Sequence, residues 1–368
     1  MRDPAYEDRF FELIHRAEED DYLPETGVWL EEAYRLADEQ NDPEYGLLAR
    51  YFYIFAVAPI QPHEAVVAFT WITANEDHAS ATIPMTWLVH LYGIVGGILR
   101  SYPDYSLAQI GRTFDRMEDK FRELGLPMRD VWHHRVYESL GTGDRETAAG
   151  WYEQWDLAEM PAGACRVCDF GTRVIYHLFN EQYEQGFRWA QPIWDGLRCN
   201  EGQPLMTVSA ALLPLLREGE LERAAQCFRM SINELHTISY AGIWAAGRQL
   251  GYLAAVGRVD HAIESFNRYF TTAWTSGTPA DRFGYLISAK MLGRRLAEEG
   301  VSAELRVPPT CELHRDEPLA GSTLVDYFET ELAGLGGRFD ARNGNGEFMR
   351  IARLSESIWE DVRARSAS

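Results

Sequence analysis

Apolar residues recur at helical spacing along most of the chain. In the first segment, Phe10, Leu13 and Ile14 fall on one face of a helix, and Trp29 and Leu36 belong to a second apolar stripe. Runs of alternating apolar and polar residues, the pattern of half-buried strands, are scarce. The pattern therefore predicts an all-α chain of antiparallel helices joined by short turns.

A ten-residue pattern recurs along the chain with a period of 38. It reads GDRETAAGWY from residue 143, GELERAAQCF from 219 and GRVDHAIESF from 257, and the position expected for a fourth copy, 181, begins EQYEQGFRWA. The sixth position is small in every copy: Ala148, Gly186, Ala224 and Ala262. The tenth is aromatic in three copies and alanine in one: Tyr152, Phe228 and Phe266, with Ala190 as the exception. A small residue lets two helices approach closely, and the aromatic one turn later fills the gap against the next repeat.

An apolar helical segment precedes each copy of this pattern. One repeat is therefore a helix, a Gly- or Asn-centred turn and a second helix, and stacked pairs of this kind form an α-solenoid. We expect helix pairs to begin near residues 128, 167, 205 and 241.

The segments GELERAAQCF and GRVDHAIESF resemble the tetratricopeptide repeat superfamily, through a turn glycine followed by the small and aromatic positions. The period of 38 departs from that family's repeat of about 34 residues, so helices or loops are longer here. The resemblance implies a right-handed α-solenoid that serves as a protein-binding scaffold.

Composition shifts divide the chain into four regions. We expect degenerate helical repeats over residues 1–125, the tetratricopeptide-like solenoid over 126–300, a proline-containing linker over 301–320 and a C-terminal helical cap over 321–368. The linker contains three prolines and lacks a helical stripe.

The net charge of −21 argues against nucleic acids and anionic membranes as partners, because both repel an acidic surface. A protein or peptide partner is expected to present a basic or an apolar surface. Lys120 and Lys290 are the only lysines, and this arginine bias suggests a GC-rich bacterial genome. The first residues lack the apolar core of a signal peptide, so we expect a cytoplasmic protein with reduced thiols.

Three of the five cysteines are candidate metal ligands. Cys165 and Cys168 form a Cys-x-x-Cys pair in one connection between repeats, and Cys199 lies in the next. Connections one repeat apart stack beside each other, so the three thiols are expected to converge at one edge. A structural zinc bound by the three thiolates is one interpretation of this arrangement. Glu201 is the favoured fourth ligand and His236 the alternative. Buried packing thiols and a redox pair are the other interpretations.

A narrower resemblance covers residues 150–345. The segments CRVCDFGTRVIYHL, GLRCNEGQP, LLPLLREGELERAA and FDARNGN are similar to a group of bacterial tetratricopeptide-like proteins. The resemblance implies a structural role for Cys165, Cys168 and Cys199 and names no activity.

The leading functional hypothesis is a non-enzymatic scaffold that binds a protein or peptide. Trp151 and Trp189 occupy equivalent positions one repeat period apart and are candidate partner-binding residues, with packing between repeats as the alternative. A peptide- or small-ligand-responsive regulator is the second hypothesis. An enzyme with an unrecognised site is the third, and the sequence contains no His-Glu-x-x-His, P-loop or Gly-x-Gly-x-x-Gly motif.

Overall fold

The computed structural model describes residues 2–20, 22–199, 202–235, 242–275 and 277–366. It divides into two compact units. The first contains residues 1–100 and 105–134, and the second contains residues 101–104 and 135–368. The predicted domain boundaries at residues 125, 300 and 320 stay predictions.

The first unit is a series of helices, each packed on its neighbours in the chain. Prolines in the first turn and aspartate caps start α1 and α3, where Asp3 accepts from the Ala5 N–H and Asp42 from the Tyr45 N–H. Ser106 and Gln109 form a capping box at the start of α7. The helices are α1 Pro4–Glu19, α2 Gly27–Glu39, α3 Pro43–Val57, α4 Pro62–Asn75, α5 Met85–Leu88, α6 Leu91–Arg100 and α7 Leu107–Glu123, with 3-10 turns at Pro24–Thr26 and Glu76–His78.

Helix α8 spans Arg129–Thr142 and contains the division between the units. The second unit continues with α9 Arg145–Leu157, α10 Arg166–Phe179, α11 Tyr183–Trp194, α12 Leu205–Glu218, α13 Leu221–Leu235, α14 Gly242–Ala255, α15 Val259–Thr275, α16 Pro279–Glu299, α17 Gly321–Asn343 and α18 Glu347–Ser366. Two short strands, β1 Ser302–Ala303 and β2 Leu319–Ala320, pair antiparallel.

The helix register confirms the all-α solenoid. The first helices of the four pairs begin at residues 129, 166, 205 and 242, close to the predicted starts. The second helices begin at residues 145, 183, 221 and 259, a constant step of 38. The right-handed sense of the solenoid stays a prediction.

The residues at the recurring small and aromatic positions pack between helices, as their pattern predicts. Ala148, Ala224 and Ala262 are fully buried. At the fourth small position, a Cβ added to Gly186 would lie 2.7 Å from Leu178 Cδ2, so only glycine fits without a shift. In two of the three copies with an aromatic residue, that residue contacts the first helix of the next repeat: Tyr152 stacks on Tyr176 at 3.7 Å between ring centroids, and Phe228 stacks on Tyr252 at 4.6 Å.

The C-terminal part of the second unit is packed onto the repeats. Segment 301–320 contributes Ala303, Val307, Cys311, Leu313 and Leu319 to the main core. Helix α17 packs on α16, and α18 packs on α12, α14, α16 and α17. No helix among the described residues is long and apolar enough to cross a bilayer.

Candidate metal centre

Cys165, Cys168 and Cys199 come together as the sequence predicts. Their three Sγ atoms all lie within 4.8 Å of one another, and the Sγ atoms of Cys168 and Cys199 are 3.5 Å apart. Across the described ranges, this is the only group of three or more His, Cys, Asp or Glu residues with metal-binding geometry.

The N-terminus of α10 positions two of the sulfurs. Cys165 is the N-cap residue, and its Sγ accepts a hydrogen bond from the Cys168 N–H at 3.3 Å. A spacing of three residues across the first turn places both side chains on the same side of the helix. Cys168 therefore lies on the helix itself, whereas the sequence interpretation placed both cysteines in the connection between repeats.

A docked loop positions the third sulfur. The Cys199 N–H donates to the Gln203 carbonyl at 3.3 Å, and the buried Gln203 side chain accepts from the Thr207 N–H at 3.2 Å. The Gln203 amide lies directly on α10, because a Cβ added to Gly171 would be 2.1 Å from Gln203 Nε2. Gly171 and Gln203 are not among the site residues that the sequence predicts. An isolated glycine inside a helical pattern was the available signal, because such a glycine usually marks close packing.

Cys165 and Cys168, two of the three half-buried cysteines, differ in the acidity of their thiols. Burial raises the pKa of the Cys165 thiol, but hydrogen bonds from the thiol and backbone N–H of Cys168 outweigh it and leave that pKa below its ordinary value. Burial, followed by the hydrogen bonds with Cys165 and Cys199, raises the pKa of the Cys168 thiol far above its ordinary value. Ionisation of the Cys168 thiol beside Cys165 therefore requires a compensating cation, which a thiolate-bound metal supplies.

The donor set fits a soft metal cation. Tetrahedral zinc with Zn–S distances of about 2.3 Å separates its sulfur ligands by roughly 3.8 Å. The Cys168–Cys199 separation of 3.5 Å is close to this value, and all three Sγ atoms lie within 4.8 Å of one another, so metal binding needs only small side-chain adjustments. The predicted fourth ligands, Glu201 and His236, lie outside the described residues.

The two candidate partner-binding tryptophans occupy equivalent environments. Trp151 and Trp189 are both half-buried. The Arg135 guanidinium carbon lies 5.6 Å from the Trp151 ring centroid, and that of Arg173 lies 4.5 Å from Trp189. Because Arg135 and Arg173 are also one repeat period apart, the arginine–tryptophan pair is a repeated packing feature. Partner binding by the two tryptophans stays a prediction.

No protein-family model matches the chain, and no curated protein is similar to it. The observations define an all-helical, repeat-like chain in which consecutive helices pack together and three cysteines lie close to one another.

Proposed function

We propose that Cys165, Cys168 and Cys199 bind zinc in a structural site that clips two consecutive repeats together. The observation that supports the proposal is the convergence of three Sγ atoms from two segments 31 residues apart along the chain. Thiolate sulfur is the donor that zinc prefers in structural sites.

The proposed clip joins the start of α10 to the loop between α11 and α12. The loop already has one contact with α10, through Gln203 and Gly171, and the metal adds a second. Glu201 is the favoured fourth ligand, because a residue two positions after Cys199 can fold back onto the same ion. A closed, four-coordinate site of this kind contributes its binding free energy to folding.

Metal analysis of protein purified without chelator tests the site. We expect about one zinc per chain, together with cadmium–thiolate charge-transfer absorption after exchange into cadmium. The Cys165→Ser, Cys168→Ser and Cys199→Ser variants should each lose most of the metal and melt at a lower temperature. Cys227→Ala is the matched control, because Cys227 is a fully buried cysteine outside the cluster.

Two results would contradict the site. One is a content below about 0.2 zinc per chain, with no cadmium absorption, in protein from zinc-supplied cells. The other is normal metal content in all three serine variants, which would place the metal elsewhere.

We also propose that the repeat array is a non-enzymatic, tetratricopeptide-like scaffold for a protein or peptide partner. The packing of successive helix pairs on their neighbours favours it, because such arrays present extended binding surfaces. The net charge of −21 favours a partner with a basic surface.

Affinity capture from native lysate at low and high salt tests the scaffold. We expect specific proteins with basic surfaces to be retained at low salt and released as salt rises, because screening weakens exposed charge pairs. An unrelated folded protein of equal negative charge is the control. Identical retention on that control, or retention of nucleic acid alone, would refute the scaffold.

A further inference from the structure

Helix α3 in the first unit is apolar on all sides but is not covered on all sides. Its residues 45–50, 53, 54, 56 and 57 are buried. Tyr51, Phe52 and Phe55 face outward, and the Phe55 side chain is 40% exposed. A helix without a polar face normally lies inside a core, so the outward face of α3 is suited to a further contact.

Five aromatic rings form a continuous surface on this face. Tyr22 stacks on Phe52 at 4.5 Å with nearly parallel rings, and Phe52 contacts Tyr51 at 5.2 Å. Tyr51 in turn contacts Phe55 at 5.1 Å and Trp87 at 5.6 Å. Trp87, on α5, is 43% exposed. We call these five residues the aromatic ribbon.

Four aromatic rings elsewhere in the first unit are covered by arginines of the same unit. Guanidinium carbons lie 3.8–4.4 Å from ring centroids in four pairs: Arg2 on Tyr45, Arg16 on Trp29, and Arg50 on both Tyr34 and Trp71. Among the described residues, no arginine is placed in this way over any ring of the aromatic ribbon. The ribbon therefore offers ring faces that favour a cation and have none from the described part of the chain.

The electrostatic surroundings also favour a cation. Burial, and after it the negative charge of Glu18, raises the pKa of Tyr22 to about 12. The acidic side chain of Glu18 therefore lies close enough to make the electrostatic potential at the Tyr22 end of the ribbon more negative. The chain as a whole carries a net charge of −21, which attracts basic partners over longer distances.

We propose that the aromatic ribbon binds a segment of another protein that carries arginine or lysine side chains on an otherwise apolar surface. The cationic groups stack on the exposed rings while the apolar groups cover the outward face of α3. The inference rests on the scaffold function proposed above and gives that scaffold a location and a partner chemistry.

Fluorine NMR of the full chain labelled with 5-fluorotryptophan tests the proposal. The Trp87→Phe variant assigns the Trp87 resonance, and three probe peptides share one leucine- and alanine-rich sequence with arginine, citrulline or glutamate at the same positions. We expect the arginine peptide to shift the Trp87 resonance with saturation. The neutral citrulline peptide should bind at least about fivefold more weakly, and the glutamate peptide not measurably.

Two variants distinguish specific binding at the aromatic ribbon from nonspecific binding to other exposed apolar side chains. Phe55→Ala removes an exposed ring and should weaken binding of the arginine peptide at least about fivefold. Val67→Ala is the control, because Val67 is 64% exposed on α4 and does not belong to the ribbon. It should leave binding unchanged.

Four outcomes would overturn the proposal. Two concern the peptides: the Trp87 resonance does not shift at millimolar arginine peptide, or the citrulline peptide binds as tightly as the arginine peptide. The other two are equal effects of Phe55→Ala and Val67→Ala on peptide binding, and a Trp87 shift that depends on protein concentration because the protein self-associates. If captured partners remain bound to a Phe55→Ala, Trp87→Ala double variant, the aromatic ribbon is not their binding site, whereas the proposed scaffold function is unaffected.

Discussion

At the scale of single residues, Glu347 shows how burial competes with charge pairing. Its carboxylate accepts hydrogen bonds from Arg145 at 3.1 Å and from Arg350 at 2.8 Å, yet the residue is only 7% exposed. Burial raises its pKa to about 7 against the opposing effect of Arg145, and the charges of Asp340 and Glu181 add to the increase. Two arginine partners therefore do not fully offset the loss of water around this carboxylate.

The raised pKa predicts a pH dependence of stability. The folded chain holds the Glu347 proton more tightly than the unfolded chain, whose carboxyl has an ordinary pKa near 4.5. The resulting stabilisation is fully present below pH 4.5 and is lost as the pH rises through about 7. Glu347→Gln should remove this contribution, so the difference in unfolding free energy between wild type and variant should change by about 1 kcal/mol or more across the window.

Denaturant unfolding at several pH values between 4.5 and 8 measures the difference. Glu146→Gln is the control, because Glu146 is an exposed glutamate on α9, the helix that starts with Arg145. Parallel pH profiles for wild type and Glu347→Gln would show that the carboxyl titrates normally in the folded chain.

At the scale of elements, the metal centre depends on how closely one loop packs against α10. Gly171 leaves room for the Gln203 amide, and Gln203 holds the Cys199 backbone. A methyl group at residue 171 would collide with the Gln203 amide, so the buried Gln203 side chain or the loop that carries it would have to move. Gly171→Ala should therefore weaken metal binding about tenfold and lower stability by about 1–3 kcal/mol.

Gly150→Ala is the matched control for this prediction. Gly150 lies inside α9 with open space at its Cβ position, so alanine should be neutral or stabilise the helix by up to about 1 kcal/mol. Competition with a colorimetric zinc chelator measures the affinity of each variant. Equal affinities for wild type, Gly171→Ala and Gly150→Ala would mean that the loop position does not depend on this contact.

The repeats and the cysteine cluster can be predicted from the sequence, because both follow from its repeat period. The constant repeat period places Cys199 in the connection that follows the one with Cys165 and Cys168, and the three sulfurs do converge. The start of α10 near residue 167 is also predicted, but the N-cap role of Cys165 is not, because cysteine is not a common capping residue.

At the scale of the second unit as a whole, α18 connects repeats that are far apart in sequence. Glu347 and Arg350 pair with Arg145 and Glu181, in the first and second repeats, at 3.1 and 2.6 Å. Arg365 donates to the Leu216 carbonyl at the end of α12, at 3.2 Å. These contacts join residues more than 140 positions apart, and no local pattern encodes them. The sequence therefore predicts α18 as a helix but not which repeats it contacts.

Trp359 lies where α18 meets the last helices of this unit. Its side chain is 2% exposed, and the Arg295 guanidinium carbon lies 4.9 Å from its ring centroid. Arg295 also donates to the carbonyls of Ala254 and Ala255 at the C-terminus of α14, at 3.1 and 3.0 Å. Because a cation there stabilises the helix end, Trp359 helps to orient a side chain that joins α14, α16 and α18.

Trp359→Ala should therefore destabilise the second unit as a whole, by about 3–5 kcal/mol. Hydrogen exchange measured by mass spectrometry should show reduced protection in α10, α12, α14 and α16 together, because α18 bridges their repeats. Helices α1–α4 of the first unit should keep their protection. Val67→Ala, which truncates a side chain that is 64% exposed on α4 of the first unit, should leave the protection of all of these helices unchanged. Loss of protection confined to α18 would instead mean that this helix detaches alone and that the repeats are stable without it.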